Sequence, residues 1–84
     1  MRGSMLDDKP RSPEVRGALA RAFVFERAHR LADAVEAYRE AVRREPQDLE
    51  IRMRLALVLR AAGRDGEANA AFEEAHRLCL AAAS

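Results

Sequence analysis

The chain has 84 residues, which suits one small domain with a thin core and about 3–5 kcal/mol of stability unless something staples or pairs it. Its 15 basic and 14 acidic residues leave a net charge of +1, so no long-range attraction draws it to nucleic acid or an anionic membrane. Cys79 is the single cysteine and excludes an internal disulfide, and no apolar run approaches the roughly 20 residues of a membrane span.

Met1-Arg2-Gly3-Ser4 reads as an expression leader, with Met5 as the native start. Residues 5–12 contain Pro10 and no apolar periodicity, and read as a flexible lead-in. Ser12-Pro13-Glu14 starts a helix. The serine accepts an orphan N–H, proline at the first position needs no donor, and the glutamate faces the positive helix end. Helix 1 is predicted over 13–28. Its apolar residues Val15, Ala18, Leu19, Ala22, Phe23, Val24, Phe25 and Ala28 include three in succession, too wide a set for one core-facing stripe. Gly17 costs this helix up to about 1 kcal/mol against alanine.

Helix 2 is predicted over 31–45, with Ala34, Val35, Tyr38, Ala41 and Val42 on one face and Pro46 as its stop. Asp48 caps helix 3, which carries Ile51, Leu55, Leu57, Val58 and Leu59 and ends at Gly63. Asp65 is expected to cap helix 4, whose inner face is Ala68, Ala71, Phe72, Ala75 and either Leu78 or Cys79. No β pattern appears.

Positions 34 apart match: Ala22 with Ala56, Val24 with Val58, Phe25 with Leu59, Ala34 with Ala68, Tyr38 with Phe72, Ala41 with Ala75. Such a period marks units that bury their apolar face by stacking on a neighbour. The second unit reads Arg52-x2-Leu55-Ala56-x2-Leu59, then Gly63, Ala68-x3-Phe72 and Ala75. The first reads Ala18-x2-Arg21-Ala22-x2-Phe25, then Ala34-x3-Tyr38, Ala41 and Pro46. On these residues the chain resembles the tetratricopeptide repeat (TPR) family, over about residues 14 to 82. Arg52 and Leu80 break the family pattern in the second unit, and Arg21 stands where a buried leucine is usual in the first. The resemblance implies an all-α fold of two helix-turn-helix hairpins, residues 13–48 and 49–84, stacked as a short right-handed α-solenoid.

The resemblance also implies where a partner sits, because the first helix of each family repeat lines a concave groove for peptides or helices. The repeat register places Arg16, Leu19, Ala20, Phe23, Glu26 and Arg27 there from helix 1, and Glu50, Met53, Arg54, Leu57, Arg60 and Ala61 from helix 3. Leu19, Phe23, Met53 and Leu57 form an apolar strip rimmed by Arg27, Arg54 and Arg60, the composition of an interface hot spot. Family members that bind chaperones clamp a terminal carboxylate with lysines and asparagines. The corresponding places hold Leu19, Ala20, Phe23 and Met53, with only Arg54 basic, so the clamp is not implied here. No further helix follows helix 4 to cover its outer face. Val24, Phe72, His76 and Cys79 are therefore the expected self-association surface, and a homo-oligomer is expected.

No catalytic or cofactor site is expected. His76 and Cys79 share a helix face, but zinc needs two more ligands and His29 is the only other histidine. Gly63-Arg64-Asp65-Gly66 joins helix to helix, with no strand before it to make a phosphate loop. Arg39, Arg43 and Arg44 alternate with Glu36, Glu40 and Glu45, a solvated face with no exposed aromatics for nucleic acid. Three functions follow: a non-catalytic adaptor binding another protein, a self-assembly module, or a regulatory fragment of a larger enzyme. The lone cysteine and the lack of a signal h-region set a cytoplasmic location as the expectation, and heavy arginine and alanine use suggests a GC-rich bacterial genome.

Overall fold

The computed structural model describes residues 11–83. The expectations for residues 1–4 and 5–10 lie outside them. Four helices follow in chain order: α1 (Pro13–Arg27), α2 (Leu31–Arg44), α3 (Leu49–Ala61) and α4 (Asp65–Ala83). Each packs on the next, α1 on α2, α2 on α3 and α3 on α4, so two hairpins are stacked through the α2–α3 joint. Among the described residues there is no strand.

The helix starts follow the expected chemistry in two cases. Val15 N–H donates to Ser12 Oγ at 3.2 Å, and Ile51 N–H donates to Asp48 Oδ1 at 3.2 Å. Helix 4 departs from it: Asp65 is already helical rather than the cap. Ala68 N–H donates to the Arg64 carbonyl at 2.9 Å, as Ala34 N–H donates to that of Arg30 at 3.0 Å one repeat earlier. Asp65 then serves as a first-turn acid facing the helix dipole. Helix 2 stops one residue short of the expected end, because Glu45 precedes Pro46 and leaves the helical region at φ −132°, ψ 71°. Helix 1 also stops one residue early, with Ala28 as its C-cap.

The two hairpin turns repeat one another bond for bond. After α1, His29 N–H donates to Glu26 and Arg30 N–H to Phe25. After α3, Gly63 N–H donates to Arg60 and Arg64 N–H to Leu59. This is the double bond pattern of a Schellman cap, and it needs a left-handed residue after the cap. Gly63 supplies it at φ 79°, and His29 is forced into it at φ 62°. Only the second turn uses the residue without a Cβ penalty.

The core is built on small residues. Ala22, Ala34, Ala41, Ala56, Ala68 and Ala75 are all buried, which lets paired helices approach closely, with Tyr38 and Leu59 buried between them and Phe25 and Phe72 packed at the edge. The three successive apolar residues of α1 separate by direction: Phe25 packs against the core, whereas Phe23 and Val24 are exposed. Arg21, which replaces the family's buried leucine, lies on the surface and reaches Glu40 of α2 at 3.3 Å. On α4 the inner face continues through half-buried Leu78, and Cys79 is exposed.

Candidate functional site

Phe23 on α1 and Leu57 on α3 are 34 residues apart and occupy one place in the two repeats. Each hairpin interior is filled by their neighbours in sequence, Ala22 and Ala56 directly before them and Phe25 and Leu59 two residues after. Phe23 and Leu57 must therefore turn outward, with exposures of 40% and 47%, and Met53, one turn before Leu57, is 38% exposed. Leu19 does not join this strip as expected. It is 8% exposed and belongs to the core with Val15, Ala18 and Ala22, so it forms floor rather than rim.

Side chains from the two helices close over this floor. The Arg54 guanidinium lies 5.2 Å from the centre of the Phe23 ring, a cation–π contact from α3 to α1. Arg54 also pairs with Glu50 at 3.3 Å. Glu50 is held from the other side by Arg11 at 3.1 Å, and Arg11 reaches Asp48 at 3.0 Å. Together Arg11, Leu19, Phe23, Glu50, Ile51 and Arg54 line a cleft of about 250 Å³. The Arg11 hydrogen bond, helped by Arg54, holds the Glu50 carboxyl below its ordinary value against partial burial. For Asp48 burial pushes the other way, yet the Arg11 hydrogen bond and the Ile51 N–H outweigh it and hold the carboxyl low. Arg11 is correspondingly raised, chiefly by its bond to Asp48.

Arg11 was expected to lie in a flexible lead-in, and no local signal marks its role, since its partners are 37 and 39 residues away. The segment docks because α1 and α3 start side by side, which brings an arginine to two acids at a helix N-terminus. Arg16 Nη1 adds a bond to the Arg11 carbonyl at 2.6 Å.

Beneath the cleft lies Tyr38 of α2, whose ring meets Phe23 edge-on at 6.3 Å. Its hydroxyl is fully buried and, among the described residues, none lies within ordinary hydrogen-bond geometry of it. Burial, and then the nearby Glu26 carboxylate, push the phenol up to about 12, with Arg54 opposing them. The signal was visible in the repeat itself: the equivalent position, Phe72, carries no hydroxyl.

The remaining expected rim residues divide. Arg27 is exposed in the last turn of α1. Arg60 lies over the Phe72 ring at 5.3 Å and is engaged within the second hairpin. Of the expected self-association residues, Val24 is exposed on α1, His76 and Cys79 are exposed on α4, and Phe72 is half-buried. Phe72 and His76 come together with Glu73, Arg77 and Leu80 around a second cleft of about 390 Å³; Val24 and Cys79 are not part of it. Among the described residues no group of three or more His, Cys, Asp or Glu side chains is placed to hold a metal ion. No described helix is long and apolar enough to cross a membrane.

The family model described as Tetratricopeptide repeat matches residues 13–58, which span α1, α2 and most of α3. No curated protein and no solved structure matches the chain. The matched segment covers more than half of the sequence and coincides with the first hairpin and the helix stacked on it. The chain belongs to the tetratricopeptide repeat family, whose repeats generally mediate protein–protein interaction.

Proposed function

We propose that the chain is a non-catalytic interaction module that binds a peptide or helix of another protein on the face formed by α1 and α3. Phe23, Met53 and Leu57 are the apolar seat, Arg54 and Arg27 the charged rim. Leu19 supports the seat from below and Arg60 stands at its α4 end. The observation that carries this reading is the exposure of three large apolar side chains on two helices that bury Val15, Leu19, Ile51, Val58 and Leu59. Apolar residues gathered on one face and bordered by arginine mark contact surfaces. A cytoplasmic setting fits the single exposed thiol of Cys79.

The test is selection from a displayed random-peptide library on the immobilised chain, followed by calorimetric titration of the selected peptides. Leu57→Glu and Phe23→Ala are expected to weaken binding at least tenfold while circular dichroism stays helical. Affinities equal to wild type in both variants would remove this face from the proposal.

A further inference from the structure

Comparing the two repeats position by position separates what a neighbouring repeat covers from what a hairpin covers by itself. In α3, Ile51 and Val58 are buried and Leu55 is half-buried. Thirty-four residues earlier, α1 carries Gly17, Val24 and Arg21. Val58, with α2 in front of it, is 2% exposed, and Val24, with nothing described in front of it, is 63% exposed. In α2, Val35 is buried and Val42 half-buried, and the matching residues of α4, Asn69 and His76, are both exposed. The apolar residues of the α2–α3 joint are thus mostly replaced by small or polar ones on both outer faces. A copy stacked head to tail, α4 on the next α1, would set Asn69 and His76 against Gly17 and Arg21. It would lack the side chains that make the internal joint.

The α4 face nevertheless keeps a definite pattern. Phe72 and Leu80 lie one turn to either side of His76, and Glu73 and Arg77 run along one flank of that line. Among the described residues Glu73 has no ion-pair partner, and Arg77 reaches only Glu74 on its own helix. We infer that this face pairs with itself: a second copy docks α4 against α4, antiparallel, about a twofold axis at His76. Phe72 then lies against Leu80 of the second copy, because the two are equidistant from the axis. In antiparallel helices like flanks face each other, so Glu73 meets Arg77 of the second copy, and the reverse pair forms by symmetry. A parallel pairing would set Glu73 near Glu73 and Arg77 near Arg77. The twofold closes the contact, whereas head-to-tail stacking would leave it open. One helix pair is a small interface, below about 1,200 Å², the size class of weak and transient contacts, so the dimer is expected only at high protein concentration.

Sedimentation equilibrium of the full chain from 10 µM to 1 mM reads the result. The wild type is expected to pass from monomer to dimer. Arg77→Glu is expected to weaken the dimer at least fivefold by setting glutamates face to face, and the charge-swapped Glu73→Arg/Arg77→Glu variant to restore it. In a mixed-labelled sample, isotope-filtered NMR is expected to show intermolecular contacts between the Phe72 ring and Leu80 methyls. These residues are about 12 Å apart along one helix, so the contact cannot arise within a chain. A wild-type monomer at 1 mM, an Arg77→Glu dimer as tight as wild type, or a dimer without the Phe72–Leu80 contact would each overturn the inference.

Discussion

Tyr38→Phe is expected to make this protein more stable, although it removes a polar group from a residue that touches helices on both sides. The hydroxyl is buried, and no described residue bonds it within ordinary hydrogen-bond geometry, although the Glu26 carboxylate and the Arg54 guanidinium lie near enough to bias its titration. In proteins such a group costs about 1–3 kcal/mol to bury. Phenylalanine keeps the ring and its edge contact with Phe23, and the small gap left by the oxygen offsets part of the gain. The net expectation is about 1–2 kcal/mol, and each kilocalorie raises the melting temperature of a domain this size by roughly 4–8 °C. The same hydroxyl makes an alkaline prediction. Burial first, and then Glu26, raise the phenol to about 12 in the folded chain, against about 10 when unfolded. Between these values the unfolded state gives up its proton and the folded state keeps it, so stability falls as pH rises from 10 to 12. The loss is roughly 3 kcal/mol at completion. Thermal melts followed at 222 nm from pH 7 to 12 compare the two proteins, and the difference between them isolates Tyr38 from other titrating groups. A Tyr38→Phe variant less stable at pH 7, or one with the same alkaline decline as wild type, would show that the hydroxyl is bonded and refute the reasoning.

The turns supply a paired test: His29→Gly relieves a side chain held at φ 62° and should add about 1 kcal/mol, whereas Gly63→Ala at φ 79° should cost about the same in chemical denaturation. Gly17→Ala should add about 0.5–1 kcal/mol in the same assay, because a Cβ there meets only Arg21 Nη1 at 3.8 Å. Asp48 and Glu50 have lowered folded values, so their contribution is present at neutral pH and lost only as pH falls through those values, below the ordinary carboxylate range. Arg11→Ala should shift the acid-unfolding midpoint upward while costing less than about 1 kcal/mol at pH 7, since the pairs are partly solvated.

Much of the architecture was legible because one pattern was written twice. Alanines at matching places in the two units mark where helices must approach, and all six are buried. Ser12 and Asp48 cap as their chemistry requires. Asp65 misled because aspartate suits both a cap and a first helical turn, and the repeated hairpin turn decided for the latter. At the candidate site, the outward exposure of Phe23, Met53 and Leu57 was legible in the register. Leu19 was not, because a leucine one turn before an exposed phenylalanine can serve floor or rim. Only the depth of packing between α1 and its neighbours sets which. Arg11 was illegible for a different reason: its partners are distant in sequence, and any arginine before a helix reads as solvated until α1 and α3 are placed side by side. The place of Arg60 on its helix is legible in the sequence, whereas the ring of Phe72 beneath it is not.

The proposed binding face is formed by α1 and α3 together. Its most direct test is an amide chemical-shift map of the labelled chain on titration with the strongest library-selected peptide. The largest shifts are expected at Phe23, Met53, Arg54 and Leu57, with a matching change in the emission of Tyr38, the only tyrosine in a chain without tryptophan. Shifts centred instead on the outer face of α4, or on α2, would contradict this placement.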